Sequence, residues 1–440
     1  MIHASASFSQ NKPDSSLLAG LTEIGVSGFK SFREEVRIQL GSLTILAGAN
    51  SSGKSSIMQP LLLMKQTLEA PYDPGALLLD GPNVSFTSGE QFLSKFQSNE
   101  VQRRFTVSLF QGEMISKSMF SWSPSFGIDI LKQILFSPQS SPIELSQAMT
   151  GEEIKKSLQG AFGHLSDILE SGQVESDKCF LSVVAGGLRV DFMNPSFSQL
   201  LTSIIHIQGL RDTPSRVYKT AAISGAKFTG RFENYVASVI NYFQKESPEK
   251  IIQLQNALQK LGLTDLIQSQ RLNDTQIELR VGRVLGGQDE ADTVNIADVG
   301  FGVSQVLPVI VALLVAEPGQ LVYIEQPEIH LHPRAQIALG EIFADAANRG
   351  VRVVVETHSE LFLLGIQTLV AEDKLDPSTV KLHWFTRNPD GSSKVTSAEL
   401  DETGAFGDWP EDFGTTALML ENRYLSAAEA KLWNGNGSHD

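Results

Sequence analysis

The sequence predicts an α/β fold built on a mainly parallel sheet. Three stretches carry that prediction. The first is a strand, a glycine-rich loop and a helix over SLTILAGANSSGKSSIMQPLLLMKQTLEA. The second is an apolar strand, LVYIEQPE (321–328), followed by the helical HPRAQIALGEIFADAANRG (332–350). The third is another apolar strand, VRVVVETHSE (351–360). Continuous apolar strands that alternate with helices belong to sheets covered on both faces.

The elements follow in chain order. Residues 1–20 are polar and Ser-rich, and read as a disordered lead. LTEIGVSGFKSF and VRIQLGSLTILAGAN have strand character from their β-branched and Leu positions. The helix after GKSS contains Pro60, expected to distort it or to mark its first turn. ALLLD and RRFTVSLFQ are short strand-like pieces between 71 and 111. The stretch 111–200 is less patterned, with a helix expected at EEIKKSLQGAFGHLSDIL (152–169) and a hairpin at LSVVAGGLRVDFM (181–193). FENYVASVINYFQ and IIQLQNALQKLGL are helical, and TQIELRVGRV alternates as a strand. VGFGVSQVLPVIVALLVA (299–316) begins with glycines and becomes an apolar helix, and Gly350 closes the next one.

Composition narrows the function classes. Hydrophobic residues make up 41% of the 440, enough for a packed core. The formal net charge is −15, from 35 Lys+Arg against 50 Asp+Glu, which disfavours an indiscriminate polyanion binder. The single Cys, Cys179, cannot form an intrachain disulfide. The N-terminus lacks a basic stretch followed by an apolar run, and Val306 to Ala316 is too short to span a bilayer. A soluble, cytoplasmic protein is expected.

Four motifs carry chemistry. Gly48-Ala49-Asn50-Ser51-Ser52-Gly53-Lys54-Ser55 fits G-x-x-x-x-G-K-[ST] between a strand and a helix, and Ser56 continues it. Such a loop curls backbone N–H groups round a triphosphate, Lys54 reaching the β- and γ-phosphates and Ser55 binding Mg²⁺. Glu325, Gln326 and Glu328 stand at the C-terminal edge of a strand, where open α/β sheets bind ligands. An acid there holds Mg²⁺, and a neighbouring one polarises water. His358 follows the next strand and can bond a γ-phosphate or the attacking water. Gly300, Gly302 and Ser304 precede an apolar helix, a second anion site.

The order GANSSGKS, DVGFGVSQVLP, YIEQPEIHLHP, ETHSE resembles the ABC-type ATPases often labelled AAA family, relatives of SMC heads and of the overcoming-lysogenisation-defect (OLD) nucleases. GFKSFRE resembles that family's first strand and turn, and GDWPEDF (407–413) is similar to a tail found in prokaryotic ATPases of anti-phage defence operons. The resemblance covers roughly 21–90 and 290–385. It implies a P-loop NTPase of ABC/SMC-head type with an inserted α/β segment. The implied divisions are an ATPase lobe at 21–110, an insertion at 111–289, a second lobe at 290–425 and a tail at 426–440.

The resemblance also implies a mechanism. Two heads pack face to face around ATP and Mg²⁺, with Gly48–Ser55 acting in cis and Gly300, Gly302 and Ser304 in trans. His330 and His332 fall near the dimer seam, with a zinc site as their rival reading. Gln91 is the candidate for the family's ligand-sensing glutamine near the metal, and Arg211 is a candidate contact to nucleotide or partner. One departure stands out. Gln326 occupies the place of the catalytic glutamate, and an amide cannot accept the water's proton. Hydrolysis is therefore expected to be slow unless Glu328 substitutes. The residues after His358 contain no D-x-D cluster for a Toprim-type nuclease. The function expected is a regulatory ATP switch on a separate effector, such as a nuclease or toxin. The alternative is a DNA-repair or DNA-processing ATPase that holds DNA directly.

Overall fold

The computed structural model describes residues 20–95, 102–169, 171–191, 195–223, 225, 227–283, 292–407, 419 and 422–429. The expected lead at 1–19 and the tail motif from Asp408 onward lie outside the described residues.

The first strands are β1 (Glu23–Ser27), β2 (Val36–Gln39) and the wholly buried β3 (Leu43–Gly48), which feeds α1 (Lys54–Glu69). A meander follows: β4 (Arg104–Gln111), β5 (Met114–Ser123), β6 (Gly127–Ser137) and β7 (Ser140–Ser146). Together with β1 and β2 it forms an antiparallel sheet ordered β2-β1-β4-β5-β6-β7. Next come α2 (Gly151–Leu169), β8 (Gln173–Asp177), β9 (Phe180–Ala185), β10 (Leu188–Asp191) and α3 (Pro195–Ser203). The expected hairpin is β9–β10, turned by Gly186 and Gly187, both at positive φ.

The chain then gives β11 (Ile205–Ile207), β12 (Tyr218–Lys219), α4 (Val236–Glu246), α5 (Pro248–Lys260), β13 (Ile267–Asn273), β14 (Gln276–Gly282) and β15 (Thr293–Asn295). Last come α6 (Phe301–Val315), β16 (Leu321–Glu325), α7 (Pro333–Asn348), β17 (Arg352–Glu356), α8 (Glu360–Ala371), β18 (Val380–Arg387) and β19 (Ser393–Ala398).

The central sheet runs β11-β16-β17-β3-β18-β19, parallel except for its last pair. Its alternate residues serve two cores, as the two-residue period of a strand requires. Ile45 and Val355 face a core shared with α4 to α8, whereas Leu46, Tyr323 and Val354 face a core shared with α1 and the antiparallel sheet. Because β11, β16, β17, β3 and β18 run parallel, Gly48, Glu325 and Glu356 all stand at the C-terminal edge of the sheet.

Pro60 sits inside α1, beyond its first turn, which leaves the first of its two expected roles. Three expectations need correction. ALLLD forms no strand; only Asp80 makes an isolated bridge, to Ser85. The weakly patterned start of 111–200 holds the three strands β5 to β7. The segment expected as one insertion, 111–289, is divided by the fold: β11 pairs in parallel with β16, and α4 and α5 share the core of α6. The central sheet thus recruits residues from the middle of the chain.

Gly48 shows how tightly the sheet constrains the loop. Its φ is +137°, and a Cβ there would lie 2.2 Å from the Phe385 carbonyl oxygen on β18. Gly48→Ala is expected to cost about 3 kcal/mol or more, since strain and a backbone clash combine. Chemical denaturation reads this directly; an unchanged midpoint would contradict it.

Candidate functional site

β3 ends at Gly48 and α1 begins at Lys54, so the loop between them wraps the N-terminal end of a 16-residue helix. Gly53 precedes the helix at φ +110°, and no side chain caps it. An uncapped helix start leaves backbone N–H groups for an anion. Lys54 is 3% exposed, and its Nζ donates to the carbonyls of Gly48 (3.0 Å) and Ala49 (2.9 Å). Burial pushes its ammonium below the ordinary lysine range, while Glu356 and Glu328 pull the other way. The loop opens on a cleft of about 700 Å³ lined also by Lys30, Arg33, Lys95 and Arg387. Arg387 donates to the Ser51 carbonyl (3.1 Å) and Arg33 pairs with Asp390 (2.7 Å). Lys30 stands over the Phe86 ring (5.0 Å), with burial lowering its pKa.

Gln91 lines the same cleft, at the end of a short 3-10 turn. Its carboxamide is engaged by Thr87, whose N–H donates to Oε1 (2.8 Å) and whose hydroxyl accepts from Nε2 (2.9 Å).

The acids come from the neighbouring strands. In register, Glu356 of β17 pairs with Leu46 of β3, and Glu325 of β16 pairs with Glu356. Glu356 is 5% exposed and accepts hydrogen bonds from Ser55 Oγ and from the Tyr323 hydroxyl, each at 3.0 Å. Burial pushes its carboxyl above the ordinary range. Glu325 stands on the same face of the sheet, but its carboxylate is drawn toward β11. Its Oε1 bonds His206 Nε2 (3.1 Å), its Oε2 accepts from the Gly209 N–H (3.1 Å), and its carbonyl accepts from Arg211 Nη2 (2.8 Å). Burial would raise its pKa, but these bonds outweigh burial and hold the carboxyl low.

Gln326 adopts φ +43° and donates its N–H to the Glu356 carbonyl (2.7 Å). Its amide oxygen lies against Gly209, so the side chain leans toward β11. Glu328 faces the loop instead. Its Oε1 accepts from Thr357 Oγ1 (2.9 Å) and from the His358 N–H (2.8 Å), while its Oε2 is buried without a hydrogen-bond partner. Ser52 Oγ in the loop is also buried and unpartnered. Burial, and then the Lys54 charge, hold His358 below the ordinary imidazole value, so its ring is neutral at pH 7. Arg211 keeps Nε and Nη1 buried without partners, and burial lowers its pKa to about 10 against the pull of Glu233, Glu328 and Glu325.

The remaining motif lies elsewhere. Gly300, Gly302 and Ser304 open α6 and do not line the P-loop cleft. Gly300 has open space where a Cβ would stand, and Ser304 Oγ donates to the Phe301 carbonyl (3.0 Å). Phe301 is 52% exposed and packs on His330 with ring centroids 6.0 Å apart. The glycine turn and His330 therefore share one surface. His332 has a structural use, since its Nδ1 accepts from the Arg334 N–H (3.3 Å) and caps α7. Among the described residues no group of three or more His, Cys, Asp or Glu could hold a metal.

Sequence reasoning missed Glu356, His206 and Lys30. Glu356 ends an apolar strand just as Glu325 does, so the same edge rule would have found it. His206 meets Glu325 only across 119 residues of chain, and nothing local signals that contact.

The family model described as "AAA domain, putative AbiEii toxin, Type IV TA system" matches residues 192–364. Comparison with curated proteins finds no match. Among solved structures, the SMC head bound to the C-winged helix domain of ScpA aligns with a TM-score of 0.50 at 13% identity, covering 87% of this chain and 98% of that one. The SMC head domain from Thermotoga maritima aligns at 0.37 and 11%, covering 86% of this chain and 98% of that one. The Pyrococcus furiosus Smc head with an extended coiled coil, bound to the C-terminal domain of ScpA, aligns at 0.44 and 12%, covering 86% and 96%. The first alignment and the central sheet agree on the fold of SMC heads, and the segment 192–364 is similar to the AAA domain of that family model.

Proposed function

We propose that this chain binds Mg²⁺–ATP in the P-loop cleft, hydrolyses it slowly, and pairs head to head with a second copy. In this reading the nucleotide state switches a separate effector protein in the cytoplasm, in anti-phage defence. The carrying observation is Lys54 and Ser55 at an uncapped helix start, with Glu356 at the end of the adjoining strand accepting from Ser55.

The site suits such a ligand on its own chemistry. Ser52 Oγ is buried without a partner at a cleft lined with cations, and Glu328 Oε2 is likewise buried and unpartnered. Mg²⁺ would neutralise developing phosphate charge, with Ser55 and a strand-edge carboxylate holding it. The uncapped N–H groups and Lys54 bind the phosphates, and neutral His358 offers a bond toward the γ-phosphate side. Glu328 has the free carboxylate oxygen needed to take a proton from water, while Gln326 has none. Gly300, Gly302 and Ser304 stand away from the chain's own cleft beside an exposed Phe301, as parts meant for a partner's nucleotide would.

Gln326→Glu tests the slow clock. It restores an ionisable group at the strand end and is expected to raise ATP turnover by about tenfold or more. An unchanged or lower rate would contradict the assignment of slowness to Gln326. Co-purification of the chain with its genomic neighbours, with and without ATP, tests the effector; an effector that binds equally in both states would contradict the switch.

A further inference from the structure

We propose that Glu356, rather than Glu325, seats the Mg²⁺ of the bound nucleotide together with Ser55. This rests on the ATP reading above and assigns its metal to one acid.

Strand order places Glu356 first. β17 is hydrogen-bonded to β3, whereas β16 is one strand further from the P-loop, a spacing of about 4.8 Å. Contacts agree with position. Glu356 Oε1 already meets Ser55 Oγ at 3.0 Å. Ser55 and Glu356 would hold Mg²⁺ side by side, both being hard oxygen ligands of the kind this ion takes.

The carboxylate is also aimed. Tyr323 holds Oε2 (3.0 Å), and the Gln326 N–H holds the residue's carbonyl (2.7 Å), which leaves Oε1 turned to the loop. Glu325 has no such freedom. His206 takes one oxygen and the Gly209 N–H takes the other. A Cβ on Gly209 would lie only 3.3 Å from Glu325 Oε2, so that side is already filled by backbone. Glu325 is a positioning residue: it ties β16 to the Gly209 turn and Arg211.

The test is the Mg²⁺ dependence of binding a non-hydrolysable ATP analogue, read by fluorescence. Glu356→Gln is expected to raise the Mg²⁺ concentration for half-maximal binding by about tenfold or more, with affinity in EDTA within about twofold of wild type. Glu325→Gln is expected to stay within about threefold in Mg²⁺ dependence. Glu356→Asp keeps the charge but draws it back, and its expected shift is smaller than that of Gln. A shift confined to Glu325→Gln, or no shift in either Glu356 variant, overturns the proposal. Wild-type protein that binds no analogue in either condition would instead overturn the ATP reading itself.

Discussion

Replacing Lys54 with alanine is expected to weaken ATP binding by at least about 100-fold, which corresponds to about 2.7 kcal/mol. The lysine is the cation the loop itself carries, and it is nearly inaccessible except from the cleft. In the free protein its ammonium answers the Gly48 and Ala49 carbonyls. A triphosphate offers it charged acceptors instead, and charge-assisted bonds are about twice as strong as neutral ones. Ala49 is exposed, so water can take the lysine's place on its carbonyl. The alanine variant loses the phosphate contact and also the two carbonyl bonds, each worth about 1 kcal/mol. Its thermal stability is therefore measured alongside. Calorimetric titration with ATP reads the affinity; a value within about threefold of wild type would contradict the P-loop assignment.

Glu328→Gln is expected to lower ATP turnover by about 100-fold while leaving ATP affinity nearly unchanged. The substitution keeps shape. An amide oxygen still accepts from Thr357 Oγ1 and the His358 N–H, so the strand-end geometry survives. What disappears is the carboxylate oxygen that has no partner in the protein and can accept a proton. A steady-state phosphate-release assay decides between outcomes. Turnover near ordinary ATPase rates that survives this change would remove both Glu328 as the base and the slow clock attributed to Gln326.

Much of the fold was legible because burial writes continuous apolar runs. LTILAG, LVYIE and RVVVE became β3, β16 and β17 of the parallel sheet. The glycine-rich loop announced its strand and helix by spacing alone, and they are in place. β5 was hidden for a physical reason. Its core-facing residues include Ser116 and Ser118, each 1% exposed, so its polar positions point inward. Hydrophobic alternation therefore carries no signal there. β11 is three residues long, too short for any period to show, yet it extends the central sheet and delivers His206. Its absence from the sequence reading is why the middle of the chain looked like a single insertion.

The site divides the same way. Lys54 and Ser55 follow from a motif whose spacing is set by the phosphates they serve. Which acid faces Ser55 depends on strand order, and strand order is a long-range property. The sequence shows Glu325 and Glu356 as equivalent strand ends; only the placement of β17 between β16 and β3 separates them. Likewise, only the folded chain shows that Gly300, Gly302 and Ser304 are not among the residues lining the P-loop cleft.

The central claim is that ATP joins two of these chains at their P-loop and glycine-turn surfaces. Sedimentation velocity of the Glu328→Gln variant, which is expected to hold ATP without spending it, tests this most directly. With Mg²⁺–ATP the account predicts a species of twice the chain mass that reverts to monomer in ADP. A monomer at saturating ATP, with binding confirmed in the same sample, would contradict it.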